Sequence, residues 1–357
     1  MPAKFNCRPG KRALAMRGLS HAAFALLMGG LAIGETGHAA TITASDVDKG
    51  EVSEKIPPEV DANDPALASL AVSHWKLAES AAPAPSGLVY GPPPPESLPS
   101  AQRDRRHASF GSQIGAVKWE VGAIFAYITV SQIIVTKEVE SFHFQDEGWF
   151  GKSTENLGVD KLTHAFNSYV IAEFLQARIR RKSGGAAQGA ATAAVLATGL
   201  MAWSELFDAH KTSSGWSNQD LIANIAGAGF SVVRNSVPGM KQKLDFRLLV
   251  TPNSDVYTLK GKEHYAQQRF FLALQLAGFS QLEHGPLRLI ELHAGYHAKG
   301  FTARERARGD PLQRRIFYGI GLNLNELFFK RPRSRVARAA NSVLDYIQPP
   351  YTAVHFH

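Results

Sequence analysis

The sequence predicts an α+β protein: a compact four-helix bundle, membrane-associated or partly embedded, followed by a small antiparallel sheet of four to five strands. Three observations predict it. Between about residues 110 and 240 the apolar residues recur with helical spacing. From about 241 to 330 the period falls to two, as in strands. Three polar clusters interrupt the helical stretches, and each sets its groups three or four residues apart, on one helix face.

Residues 1–40 read as a secretory signal peptide. Lys4, Arg8, Lys11, Arg12 and Arg17 precede an apolar run from Leu19 to Ile33, and Gly37-His38-Ala39-Ala40 offers small residues for cleavage after Ala39 or Ala40. A retained membrane anchor is the alternative, against which the run is short for a span. The single cysteine, Cys7, precedes that run, so the sequence reads as an exported chain that is not a lipoprotein and keeps no thiol. The expected location is the periplasm, in association with the outer membrane.

Residues 41–109 are rich in Pro, Ala, Ser and acids, with Ile56-Pro57-Pro58-Glu59 and Gly91-Pro92-Pro93-Pro94-Pro95 as examples. Such a stretch buries too little apolar surface to offset its chain entropy, so a disordered tether is expected, with Ala66 to Glu79 as one short helix. The full chain carries +8; residues 1–40 hold five Lys or Arg and one Glu, leaving +4. That balance argues against a nucleic-acid partner. Basic residues are local instead, at Arg178 to Lys182, Arg304 to Arg315 and Arg331 to Arg338. A solvated surface explains them, and so does contact with anionic lipid or lipid-A phosphate.

Four helices are expected. Ile114 to Val135 is strongly apolar, with Lys118 and Glu120 near its start. Leu162 to Ile179 is amphipathic, and Ala186 to Leu206 is Ala- and Gly-rich with no charge before Glu205. Leu221 to Arg234 contains Ile225-Ala226-Gly227-Ala228-Gly229, small residues that let helices approach closely. The mean hydropathy of −0.14 resembles a soluble chain, although the polar tether lowers it. A peripheral or partly embedded bundle reconciles the two.

The strand region runs over 241–330. Arg269 to Leu276, Leu287 to Tyr296 and Arg315 to Asn325 read as extended. In the last, Ile316, Tyr318, Ile320, Leu322 and Leu324 share one face, with Gly319, Gly321, Asn323 and Asn325 on the other. Outer-membrane strands alternate in this way, and so does any half-buried antiparallel sheet. Four or five strands are too few to close a barrel, so an open sheet against the bundle or the membrane is expected. Residues 331–357 read as a basic C-terminal tail.

The polar clusters carry whatever chemistry there is. Asp160, Lys161 and His164 open a helix, where Asp160 is a candidate cap and His164 a candidate ligand or proton carrier. Glu205 and Asp208 end an otherwise uncharged helix; two carboxylates so close need a cation between them, from Lys161, His164, a divalent metal, or more cheaply His210 and Lys211. Ser217 and Asp220 match a Ser-x-x-acid capping box, and Asn224 interrupts an apolar run, which suggests an interhelical hydrogen bond. One shared structural network of Asp160, Lys161, His164, Glu205, Asp208, Ser217, Asp220 and Asn224 is the expectation. Catalysis by His164, Glu205, Asp208 and Asp220 is the alternative, with His164, Glu205 and Asp208 as candidate metal ligands. The residues identify no cofactor, and a divalent metal is the less favoured reading.

Trp149-Phe150, Asp160-Lys161-Leu162-Thr163-His164, Glu205-Leu206-Phe207-Asp208 and Ser217-Asn218-Gln219-Asp220-Leu221, with Asn224 and Gly227, resemble the YfiM-like family of uncharacterised bacterial envelope proteins, often lipoproteins. More distantly they resemble the VanZ-like membrane proteins linked to glycopeptide resistance. The likeness covers residues 148–235. The chain departs from the first in lacking a lipobox cysteine and from the second in its tether and strand-rich end. Neither resemblance implies a reaction. Gly-x-Ser-x-Gly, the full phosphate-binding Gly-x-x-x-x-Gly-Lys-Ser/Thr loop and His-Glu-x-x-His are absent from the sequence. The expected function is that of a non-catalytic envelope protein, associating with membrane lipid or an envelope partner. The alternative is a metal- or proton-dependent enzyme acting on a lipid or glycan headgroup.

Overall fold

Four long helices form where the periodicity places them: α1 (Phe110–Val135), α2 (Val159–Lys182), α3 (Ala190–Asp208) and α4 (Asn218–Ser236). The computed structural model describes residues 109–357 apart from 137, 184, 186, 187, 252–260 and 329–333. The leader, Cys7 and all but the end of the tether therefore lie outside the described residues. Ser109 caps α1 and Ser217 caps α4, each side chain accepting a backbone N–H three residues on. Asp160 does not cap α2. That position belongs to Gly158, left-handed at φ +83°, and Asp160 sits within the first turn.

The bundle is built around α2, which is buried on nearly every side. Ion pairs and hydrogen bonds fix the helix directions. Glu120 of α1 meets Arg178 and Lys182 at the far end of α2, so these two run antiparallel. Ser168 of α2 meets Asn224 of α4, and Glu173 meets Arg234, so α2 and α4 run parallel. Their close approach depends on Gly227. A Cβ there would lie 1.8 Å from the Ala165 carbonyl oxygen, a distance no side chain survives.

The strands are β1 (Leu244–Val250), β2 (Gln268–Gln275), β3 (Ile290–Lys299), β4 (Gln313–Leu322), β5 (Ile347–Gln348) and β6 (Ala353–Phe356). Three short helices lie among them: α5 (Ala303–Ala307), α6 (Leu324–Phe328) and α7 (Arg335–Leu344). The fold is α+β, with a six-stranded mixed sheet in place of the smaller antiparallel one expected. Its order is β5-β1-β2-β3-β4-β6, antiparallel throughout except for β5 beside β1. The additional strands are β1 and the pair β5 and β6, which come from the segment read as a tail. β4 stops at Leu322, because Asn323 accepts from the Glu326 backbone and starts α6.

That pair bends the sheet. β5 and β6 occupy opposite edges, yet only residues 349–352 separate them. Six flat strands would hold the edges ~24 Å apart, whereas five chain steps reach roughly 17 Å. The sheet must curl toward closure, and it does so with one face inward.

Two cores result. Phe166 and Tyr169 of α2 and Phe230 of α4 pack on Phe246 and Phe270 of the first two strands, with ring centroids 5.3 to 6.5 Å apart. Each buried ring contributes about 1.5–3 kcal/mol by area. Leu249, Phe271, Ala273 and Phe317 form a smaller core inside the curl.

Elsewhere large apolar residues face outward. The buried stripe of α1 joins Gln113, Glu120 and Gln132 to Val117, Ile124 and Ile128, while Trp119 is 77 % and Ile134 74 % exposed. On β4 the buried residues are Phe317, Gly319 and Gly321, and the exposed ones are Ile316, Tyr318, Ile320 and Leu322. The apolar side of that alternation faces outward.

Candidate functional site

The N-termini of α2 and α4 and the C-terminal half of α3 meet at one polar centre. Two helix N-termini point their unpaired N–H groups and positive dipole ends toward it, which favours carboxylates there. Lys161 lies at its middle and is 2 % exposed. Its ammonium contacts Asp220 at 2.8 Å, Asp160 at 3.0 Å and Glu147. His164 stands one turn further along α2, with Glu205 Oε1 3.2 Å from its Nδ1 and Asp220 Oδ1 3.8 Å from its Nε2. The four acids Glu147, Asp160, Glu205 and Asp220 thus share two basic side chains.

The acid excess shows in the proton affinities. Burial would lower the Lys161 ammonium, but Asp160, Asp220 and Glu147 outweigh burial and raise it. Burial would raise Asp220, yet His164 and Lys161 hold it below the ordinary carboxylate range. Glu147 absorbs the imbalance. Burial first, then the Asp220 charge, push it up to about 8 despite Lys161. It is the half-buried member, reached from the surface, and comes from the irregular segment before α2. Isolated bridges Val139↔Lys211 and Phe144↔Trp216 tie that segment to the chain after α3.

Asp208 goes elsewhere. It pairs with Lys211, whose Nζ also donates to Gln132 Oε1 at 2.7 Å, while Gln132 Nε2 donates to Ser204 at 2.7 Å. Glu205 faces His164 and Asp208 faces Lys211, a lysine that is 4 % exposed. The His210 ring meets the Glu140 carbonyl oxygen. Ser217 accepts from the Asp220 N–H at 3.2 Å, and Asn224 accepts from Ser168 Oγ at 2.9 Å, joining α4 to α2.

Among the described residues, two sets of ligand atoms lie close enough to hold a cation: His164, Glu205 and Asp220, and Glu147, Asp160 and Asp220, each within 4.8 Å of one another. Asp208 belongs to neither, although the sequence suggested it. In the second set Lys161 already stands among the acids, so a metal would compete with its ammonium.

A second buried network escaped the sequence reading. Arg234 of α4 bridges Glu173 of α2, at 2.7 Å, and Asp245 of β1. Arg247 binds Asp245 at 2.7 Å and Glu291 at 2.8 Å inside the curl. Glu291 leads on to His293, and His293 Nδ1 lies 3.1 Å from His355 Nε2, across the side-chain-free Gly319. Burial first, then the Asp245 charge, push Asp345 up to about 7 against Arg234, Arg247 and Lys241, which lower it. The available signals were Glu173 and Arg234 within apolar helices and the alternation of Asp245 and Arg247 in β1.

No curated protein and no solved structure matches the chain. Residues 146–236, about a quarter of the sequence, match the model of a family described as a predicted periplasmic lipoprotein (DUF2279). The matched span contains Glu147 and every residue of the polar centre. Its description contradicts the expectation that the chain is not a lipoprotein. That expectation rested on the place of Cys7 alone, which lies outside both the match and the described residues. Over residues 146–236 the chain is similar to that periplasmic family.

Proposed function

We propose that this is a non-catalytic envelope protein that seats its apolar exterior in a lipid membrane, with the polar centre serving as internal framework. The observation that carries the reading is the broad apolar exterior of α1 and β4. Beside its buried Val117, Ile124 and Ile128, α1 spends buried positions on Gln113, Glu120 and Gln132 and exposes Trp119, Phe125, Val130, Ile133 and Ile134. Exposed apolar area on this scale marks an interaction surface. Lipid fits it better than a protein partner does, because interfacial aromatics and bases accompany it. Lys118 lies 5.5 Å from the Trp119 ring, and Arg180 and Arg181 end the helix that packs beside the start of α1. An apolar groove of about 510 Å³, lined by Ile133, Val139, Trp203 and Leu206, continues the same surface and suits an acyl chain.

The polar centre supports a framework role because Lys161 fills it. Flotation with phosphatidylcholine vesicles tests the proposal. The full chain is expected to float, with a blue shift of tryptophan emission, and Ile133→Asp with Ile134→Asp is expected to abolish flotation. A monodisperse protein that stays at the bottom of the gradient overturns it.

One observation favours a second reading, an enzyme acting on a lipid or glycan headgroup: the His164, Glu205 and Asp220 set with Glu147 holding a proton near neutrality. Stoichiometric binding of a divalent ion, lost in Glu205→Gln, would favour that reading over the framework.

A further inference from the structure

The inner face of the curled sheet ends in a row of bases. Phe271, Gly295 and Phe317 are direct neighbours across β2, β3 and β4. Two residues further along each strand, on the same face, stand Arg269, His297 and Arg315, with His297 and Arg315 as register partners. His357 follows β6 and brings its ring 5.0 Å from that of His297. Lys299 lies two residues beyond His297 on β3, again on this face.

Three properties distinguish the row from an ordinary solvated rim. His297 is 2 % exposed, and neither ring nitrogen has a hydrogen-bond partner among the described residues. A buried imidazole left so costs free energy unless something completes it. Second, Arg269 is half-buried and Arg315 and Lys299 are exposed, and none of them contacts a carboxylate among the described residues. Elsewhere inside the curl, Arg247 is matched by two acids. Third, the positive field is felt locally. Burial, then Arg269, His357, Lys299 and Arg315, hold His297 down at about 3.

We propose that Arg269, His297, Arg315, Lys299 and His357 form a binding site for a phosphoryl anion. Two guanidinium forks present paired N–H donors that match phosphate oxygens, and the imidazole supplies a further donor from the buried side. The inference does not rest on the membrane reading, since it uses other residues. The exposed apolar face of β4 begins at Ile316, beside Arg315, so the phosphoryl group of a lipid and that of a soluble phosphate ester share this chemistry.

Equilibrium dialysis of the full chain against inorganic phosphate, at fixed ionic strength, tests the site. Saturable binding is expected, weakened about tenfold by Arg315→Gln and by Arg269→Gln. Arg308→Gln, an exposed arginine paired with Asp310, is expected to leave it unchanged. Arg315 is exposed, so its variant tests the site without endangering the fold. Absence of saturable binding, or equal affinity in the wild type and both variants, overturns the proposal. Phosphatidylglycerol vesicles separate the sources. A matching loss with Arg315→Gln on these vesicles identifies a lipid headgroup; a loss confined to inorganic phosphate identifies a soluble ester. Flotation on uncharged vesicles reports on the apolar exterior alone, so failure of one proposal is distinguishable from failure of the other.

Discussion

The two buried polar regions solve the same problem with opposite balances. Between the helices, Glu147, Asp160, Glu205 and Asp220 share Lys161 and His164, and the surplus acid keeps a proton on Glu147. Inside the sheet, Arg247 is held by Asp245 and Glu291, and the remainder is histidine and arginine. Burial makes the imidazoles there poor bases: His355 is lowered to about 4 by burial first and then by His293. One region resists losing a proton and the other resists gaining one. Buried charge is tolerated in both because few groups are left without a counter-charge, and the mismatches sit where solvent reaches.

The largest test removes the central cation from each region. Lys161→Met leaves three acids facing one another, and Arg247→Met leaves Asp245 with Arg234 but takes from Glu291 its ion-paired arginine. Each is expected to cost about 3–5 kcal/mol in urea denaturation, since removing one partner strands buried charge. A much smaller loss for Lys161→Met at pH 6 than at pH 9 would show the acids rescuing themselves by protonation. Gly227→Ala comes next. The Ala165 carbonyl oxygen must move aside, at about 1–3 kcal/mol of overpacking, and the Ser168–Asn224 bond is expected to lengthen.

Smaller effects sharpen the contrast through pH. Glu147 is raised from 4.5 to about 8, so its contribution is complete below the unfolded value and is lost as pH rises through 8. In Glu147→Gln the fall in melting temperature from pH 6 to pH 9 is expected to flatten. His355 is lowered from 6.5 to about 4, so its contribution is present above 6.5 and is lost as pH falls through 4. His355→Phe is expected to flatten the acid side, by the smallest margin of these variants, because His297 titrates below it at about 3. A wild-type profile with no decline on either side would undo the comparison.

The helices were legible because each presents a long run of one period, and Gly227 among small residues marked the close contact of α2 with α4. Asp160, Lys161, His164, Glu205 and Asp220 were legible as a group because helix geometry sets i, i+3 and i+4 side by side. Glu147 was not, since it reaches the centre from an irregular segment whose path depends on distant bridges. Asp208 was assigned to the same centre because spacing gives a face and not a partner; a three-residue step to Lys211 decided it. The sheet's curl was hidden for a different reason. β5 has two residues and β6 four, too short for alternation to register, and both follow the arginine-rich run from Arg331 to Arg338. The apolar face of β4 was visible, but which way it points depends on that curl.

The pairing of β1 with β5 joins Leu248 to Ile347, across almost a hundred residues. A chain emerging from its N-terminal side completes α1 to α4 and the β1–β4 meander before the clasp between the edges exists. Until residues 347–356 arrive, both margins of the meander present free N–H and C=O groups beside an apolar outer surface, the combination that invites strand addition from other copies. The last-made stretch of this sheet therefore guards the rest against self-association, and the interval before it appears is when the molecule is most vulnerable.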